Sequence, residues 1–292
     1  MSVHSPRFAI VIPTRKRPKQ LAACLNAIGA LTYPRDRFQV VIVDDHSDEP
    51  LDDVVAPWRD RLNIRLLHRN EPVGPAAARN AGISGLDTEY VAFTDDDCTV
   101  DSDWLTALAE HFRHHPHHLV GGQTRNALSN NACSTTSQIL VEVAYAFYNT
   151  DPEDAAFFAS NNMAMPLALL HCVGGFDAAW RTAEDRDLCD RWRRAGHGMS
   201  YAPGAVLHHA HALTLRALWR QHVAYGRGAY RYHRALSQRG AGPFRPALGF
   251  YRRLFAHPWS HCHGLRKLTI FTLLVYSQVA NTVGFALEKI GW

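Results

Sequence analysis

The 292-residue chain predicts an α/β fold built on a doubly wound sheet. Short apolar runs alternate with helically spaced segments through the first 114 residues, which implies parallel strands with crossover helices. Three strand exits carry polar groups, at Thr14/Arg15, Asp44/Asp45 and Asp95/Asp97. Open sheets bind ligands beyond the carboxyl ends of their strands, so polar exits are expected there. Composition agrees, since 47% hydrophobic and 20% charged is globular rather than disordered.

Phe8–Ile12 reads as a buried strand, and Pro13-Thr14-Arg15 as the turn after it. Pro18–Leu31 has helical apolar spacing at Leu21, Cys24, Leu25 and Ile28. Phe38–Val43, Ile64–Leu67 and Tyr90–Thr94 supply three more strands. Gly74-Pro75 opens a helix through Ala76–Ile83, and Trp104–His114 is helical. Beyond residue 120 the pattern loosens. Phe157–Met165 reads as a strand with a polar centre, Gly174–Asp177 as a turn, and Ala183–Ala195 as a helix. Leu213–Tyr232 is a basic, aromatic helix, and Gly240–Pro246 a Gly/Pro joint before the apolar stretch Leu268–Leu287.

The chemistry concentrates at Tyr90–Cys98, where an apolar run ends in Asp95, Asp96 and Asp97. Three adjacent like charges repel, so they need water or a cation. If the strand conformation continues, Asp95 and Asp97 share a face. Two carboxylates there make a hard-oxygen site suited to Mg²⁺ or Mn²⁺, with phosphates completing the shell. An acidic solvated turn is the alternative.

Net charge is unevenly spread. Residues 1–190 hold 16 Lys and Arg against 26 Asp and Glu, while 191–287 hold 14 Lys and Arg and no carboxylate side chain. This predicts a basic face for a phosphate-rich partner such as an anionic membrane or a nucleic acid. The six cysteines are scattered without a CxxC pair, which argues against a zinc ribbon or disulfide framework and fits a reducing compartment. The N-terminal apolar stretch is too short for a secretory signal, so a cytoplasmic location is expected.

Six segments in order, VIPTRKRP (11–18), VVIVDDHSDE (40–49), VGPAAARNAGI (73–83), YVAFTDDDC (90–98), GGFD (174–177) and AEDRDLCDRWRRAGH (183–197), resemble family 2 glycosyltransferases. The resemblance implies the GT-A fold, a doubly wound mixed sheet. It also implies inverting transfer of a sugar from a nucleotide-diphosphate donor, a UDP-sugar first and GDP- or dTDP-sugars next. The acceptor is a hydroxyl, open in identity and conceivably lipid-linked. The expected cofactor is Mn²⁺ or Mg²⁺. Pro13, Thr14 and Arg15 would form the first nucleotide-contacting turn, Asp45 would lie by the base or ribose, and Arg79 would approach the diphosphate. Asp95, Asp96 and Asp97 match the DxD element, with Asp97 on the metal and Asp95 by the ribose. Asp185 matches the catalytic base; otherwise Glu184 and Asp185 are an acidic first helical turn favoured by the helix dipole. In His208-His209-Ala210-His211, His209 and His211 resemble an extra metal ligand of related enzymes, against a solvated histidine-rich strand end. His111, His114, His115, His117 and His118 read as surface. Asn161 and Asn162 either bond sugar hydroxyls or satisfy a bend. The catalytic domain would occupy 1–211, with a nucleotide-sugar half to about residue 120 and an acceptor half after it. A basic helical extension would follow over 212–292.

Rival readings remain. Asp95, Asp97 and Thr99 also fit the DxDx[TV] start of a haloacid-dehalogenase-type phosphatase, but no lysine lies between Lys19 and Lys267. A sugar nucleotidylyltransferase would need a Gly-rich loop after the first strand, which VIPTRKRP lacks. A non-catalytic sugar-nucleotide or nucleic-acid-binding module is the third, though no nucleic-acid motif is present and nucleic acid is not the expected partner. Leu268–Leu287 is long enough to span a bilayer, but Gln278, Asn281 and Thr282 cluster on one face. A helix lying in the interface is therefore expected ahead of a span or a packed helix. Arg252, Arg253, Arg266 and Lys267 precede it, with Trp259 and Trp292 as anchors at the inner face of the cell membrane.

Overall fold

The computed structural model describes residues 5–291, so the first four residues and the expected anchor Trp292 lie outside the described residues. In chain order the elements are β1 (Phe8–Thr14), α1 (Pro18–Gly29), β2 (Phe38–Asp44), α2 (Asp52–Val55), β3 (Ile64–His68), α3 (Pro75–Ile83), β4 (Tyr90–Phe93), β5 (Cys98–Val100) and α4 (Trp104–His114). The second half holds β6 (Leu119–Asn126), α5 (Ala132–Tyr148), β7 (Met163–Pro166), α6 (Leu167–Val173), α7 (Glu184–Arg194), β8 (Met199–His209), α8 (Leu215–Gln238), α9 (Leu248–His261) and α10 (Arg266–Lys289).

The eight strands form one sheet in the order β3-β2-β1-β4-β7-β6-β8-β5. β1 is buried on both faces, so its side chains divide between two cores. Phe8, Ile10 and Ile12 pack with Leu21, Leu25 and Ile28 of α1. Val11 packs on the other face with Ala76, Ala78 and Ile83 of α3. This two-sided burial is why the strands read as continuous apolar runs. β1 to β4 are mutually parallel, and β7 enters antiparallel to β4 and β6, which makes the sheet mixed.

Two segments differ from expectation. Of Phe157–Met165, only the end is strand; Ser160–Asn162 forms a 3₁₀ turn ahead of β7. Asn162 holds that turn, accepting from Trp104 Nε1 at 2.9 Å and donating to the Gln123 and Ala205 carbonyls at 3.0 Å. It satisfies a bend, whereas Asn161 keeps a buried Oδ1 without a partner. The long β8 was hidden because Pro203 and Gly204 interrupt its alternation, opposite the register shift at Gly122/Gln123 of β6.

The C-terminal helices pack on α5 in the second half of the chain. The α8 and α10 backbones touch: a Cβ at Gly226 would sit 1.9 Å from the Asn281 carbonyl oxygen, and one at Gly284 would sit 2.0 Å from that of Val223. Ile270 and Leu274 of α10 pack with Ile139 and Val143 of α5 and Leu254 of α9. Gln278 and Asn281 line a cavity shared with α5 and α8, so two members of the expected polar face turn toward the protein. The outer stripe is apolar instead, with Leu268, Val275, Val279, Val283 and Ile290 exposed. Part of the basic charge after residue 190 is taken up inside the fold. Arg191, Arg194 and Arg239 pair with Asp187 and Asp190 of the acidic half. His111, His115 and His118 are only partly exposed. His111 and His118 bond Ser200 Oγ and His115 pairs with Glu153, a correction to their reading as plain surface.

Gly284→Ala must push α8 from α10, because the atom it meets is backbone. Thermal unfolding should show a loss of roughly 1–3 kcal/mol. Gly204→Ala, whose Cβ meets only Ala107 Cβ at 3.5 Å, should stay within about 0.5 kcal/mol of the parent.

Candidate active site

β4 stops at Phe93, and the chain then turns, with Cys98 N donating to Asp95 O at 3.1 Å. Asp95 and Asp97 therefore do not share a strand face; the turn sends the three carboxylates to different partners. Asp95 Oδ1 accepts from Arg79 at 2.7 Å. Asp96 accepts from Thr14 Oγ1 at 2.7 Å and from Arg17 at 3.1 Å. Asp97 accepts from Arg17 at 2.9 Å and lies 3.3 Å from His209 Nε2. Register explains that last contact: β5 pairs antiparallel with β8, setting Cys98 opposite His209. His208, one residue back, bonds Asp101 instead.

The electrostatics follow from these partners. Burial drives Asp96 up to about 6, against the pull of Arg17 and the Thr14 hydroxyl. Burial works the same way on Asp97, but His209 and Arg17 outweigh it and hold the carboxyl at about 2. His209 moves upward, because its pairing with Asp97 exceeds the effect of burial. Burial, then the His209 charge, lowers His211 to about 4.

The donor atoms of Asp97, Cys98 and His209 lie within 4.8 Å of one another, and no other close donor group of this kind occurs among the described residues. Burial raises the Cys98 thiol well above its usual range, so it is a neutral sulfur beside the site. A carboxylate and an imidazole opening onto a cavity fit a divalent metal ion. His211 stacks on His209 with ring centroids 5.0 Å apart, and Asp95 faces Arg79; both stand outside the close group.

A cavity of about 530 Å³ runs along the strand exits, lined by Pro13, Thr14, Arg15, Arg17, Asp45 and Asp95–Asp97. Asp45 uses both oxygens on the loop entering α3, accepting from Val73 N at 2.7 Å and Gly74 N at 3.0 Å. It shapes the cavity wall more than it offers a free carboxylate. Arg79 is likewise committed: it is buried, bonds Asp95 and Glu184 (3.1 Å), and lies over the Phe176 ring. Its charge is stabilised because those carboxylates outweigh desolvation.

Glu184 and Asp185 begin α7 directly after Ala183, whose φ of 67° is strained for a non-glycine residue. Burial, then Asp185, pushes Glu184 to about 7 against Arg79; burial also raises Asp185. Both line a second cavity of about 520 Å³ between the sheet and α5, α8 and α10. Arg79, Asp95, His209 and His211 border both cavities. Sequence reasoning missed Arg17, which nothing local separates from Arg15, Lys16 and Lys19. It also missed Thr124 and His222, whose buried polar atoms lack partners and which line the second cavity.

Thr14 supports an ionised Asp96, and this sets a pH test. The folded pKa is raised, so ionising Asp96 costs stability as pH rises from about 4 to 6. Thr14→Val removes a bond to the ionised form, so its folded pKa rises further. The variant should lose ~2 kcal/mol near pH 8 and much less near pH 4, read by chemical denaturation.

The sequence pattern described as glycosyl transferase family 2 matches residues 9–174. The pre-mycofactocin glycosyltransferase of Mycobacterium tuberculosis is 30% identical over 230 residues, covering 75% of this chain and 46% of the relative. The probable glycosyltransferase YdaM of Bacillus subtilis is 21% identical over 234 residues, covering 76% and 55%. The chain thus spans about half the length of these curated relatives. In fold it is similar to the mannosyltransferase PcManGT of Pyrobaculum calidifontis, solved with GDP-Man and Mn²⁺. The TM-score is 0.71 at 20% identity, with 98% of this chain and 89% of that one covered. Staphylococcus aureus TarS 1–349 with UDP-GlcNAc gives a TM-score of 0.59 at 16% identity, covering 97% and 90%. The chain belongs to glycosyl transferase family 2 and has the GT-A fold.

Proposed function

We propose that this chain transfers a sugar from a nucleotide-diphosphate donor to an acceptor hydroxyl with inversion, in the synthesis of a cell-surface glycan, glycolipid or related glycoconjugate. One observation carries the reading. The cavity holding Asp97 and His209 meets the cavity holding Asp185 across the shared wall of Arg79 and Asp95. A donor phosphate and an acceptor hydroxyl would thus lie in neighbouring cavities that share Arg79, Asp95 and His209 as lining. Nucleotide sugars in PcManGT and TarS support a donor of this class, with UDP-sugars the first to test and GDP- and dTDP-sugars next.

In this reading Pro13, Thr14 and Arg15 border the nucleotide, and Thr14 and Arg17 fix Asp96 and Asp97. Asp97 and His209 would hold Mn²⁺ or Mg²⁺, whose charge would neutralise the leaving diphosphate. Asp185 takes the acceptor proton as that oxygen forms its bond to the anomeric carbon and the carbon–phosphate-oxygen bond breaks, the electron pair leaving with the diphosphate. Arg79 acts through Asp95 and Glu184, as a positioning residue. The phosphatase alternative is disfavoured: it would make Asp95 a nucleophile, yet Asp95 is tied to Arg79 and has no lysine to assist.

Asp185→Asn keeps the shape but cannot take a proton. Transfer should fall ~10²–10⁴-fold with nucleotide affinity retained; parallel loss of nucleotide binding would make Asp185 a donor contact. The raised Asp185 must also be deprotonated to act, so activity should fall on acidification above the ordinary Asp range. Arg186→Gln removes the charge that most favours the ionised Asp185 and should move that acid limb to higher pH.

We also place the protein at the inner face of the cell membrane, with α10 lying on it rather than crossing. The support is the outer stripe of Leu268, Val275, Val279 and Val283, flanked by exposed Trp259 and Leu265, on a helix whose other face packs on α5. Lys267 and Lys289 lie at its ends, suited to anionic lipid. Binding to anionic vesicles should weaken with salt but persist in part. Val279→Glu should reduce it about tenfold or more without changing the melting temperature. Indifference to vesicles at low salt would count against this placement.

A further inference from the structure

The second cavity has a charge pattern that the proposed reaction leaves unexplained. Its acidic lining consists of Asp95, Glu184 and Asp185, and the first two are already engaged by Arg79. Three further guanidiniums line it, from Arg181, Arg186 and Arg245, and none has a carboxylate within ion-pair distance among the described residues. Arg186 is held on the wall by the Phe157 ring, 5.2 Å from its centroid. Arg181 donates to the Val73 carbonyl at 3.3 Å, which ties it to the loop entering α3. Unpaired arginines converging on a cavity match a bidentate anion such as phosphate or carboxylate.

The remaining wall is aromatic. Tyr148 stacks on Phe250 at 6.5 Å, and Phe244 lies 5.3 Å from Phe285. Tyr148 and Phe244 line this space and stay 38% and 44% exposed despite those ring contacts. Arg186 also feels the Asp185 charge, and Arg181 and Arg245 are exposed, yet the three guanidiniums outnumber the one lining carboxylate that Arg79 leaves free.

We infer that this cavity takes an acceptor bearing an anionic group, phosphate or carboxylate, on an apolar body, with Arg181, Arg186 and Arg245 selecting the charge. The inference rests on the glycosyltransferase reading for the word acceptor. The anion sits on the Asp185 side of Arg79, apart from the donor diphosphate. A neutral alcohol of equal apolar size fills the aromatic wall but leaves the arginines unpaired, and so binds less well.

Full-length protein with Mn²⁺ and UDP is titrated calorimetrically with octyl phosphate, phenyl phosphate, octanoate and octanol. At least one anionic probe should bind ten times or more tightly than octanol. The comparison of octyl phosphate with octanoate identifies the anion, and that with phenyl phosphate identifies the apolar body. Arg245→Gln and Arg186→Gln should each weaken the preferred anion at least fivefold and leave octanol affinity little changed, a split that simple unfolding would not produce. Octanol binding as well as every anion, or neither variant altering anion affinity, overturns the inference. Nucleoside diphosphate release from a nucleotide sugar, measured on the same protein, separates the two levels. Release with indifference to all anions removes this inference alone, whereas no release from any donor removes the proposed function and with it the acceptor role.

Discussion

The buried Arg79 is the contact on which the site depends. One guanidinium joins Asp95, 16 residues away in the acidic turn, to Glu184, 105 residues away at the start of α7. Without it two carboxylates would face each other in a desolvated space, each pushed toward its protonated form. With it the guanidinium stays charged despite its burial. Arg79 thus ties a carboxylate that borders both cavities to one at the start of α7. Breaking such a group by removing one member costs far more than its net contribution to stability, because a buried charge is left alone.

Around that centre the sheet does the positioning. Parallel β1, β2 and β4 end together, so Thr14, Asp45 and the acidic turn converge on one edge. The antiparallel β5–β8 pair then returns His209 to Asp97 from the second half of the chain. Asp45 holds the entrance of α3, and the Gly174–Asp177 turn docks on the same helix through Asn80 and the Phe176 backbone. α3 is thus held at its N-terminus and at Asn80, next to Arg79.

The first half of the fold was legible because its strands are buried on both faces and its helices carry a clear 3.6-residue period. β8 was not, since Pro203 and Gly204 break its alternation. The 3₁₀ turn at Ser160–Asn162 was also hidden, because only tertiary contacts from Trp104 and β6 stabilise it. In the site, residue types were legible and their pairings were not. The Asp95–Asp97 triplet stood out, but its turn geometry depends on β5 pairing with a strand far along the chain. Arg79 bonds Asp95 and Glu184, and nothing local in the sequence signals those two partners. The polar residues of α10 suggested a solvated face, and only the packing of α8 and α10 shows that Gln278 and Asn281 line a cavity.

The central claim is that metal-dependent departure of a nucleoside diphosphate takes place at the Asp97–His209 edge. Its most direct test is nucleoside diphosphate release from a panel of UDP-, GDP- and dTDP-sugars, with Mn²⁺ or Mg²⁺ and again with excess chelator. The account predicts release from at least one donor that the chelator abolishes and that Asp97→Ala loses while remaining folded. Undiminished release in chelator, or full activity in Asp97→Ala, would contradict it.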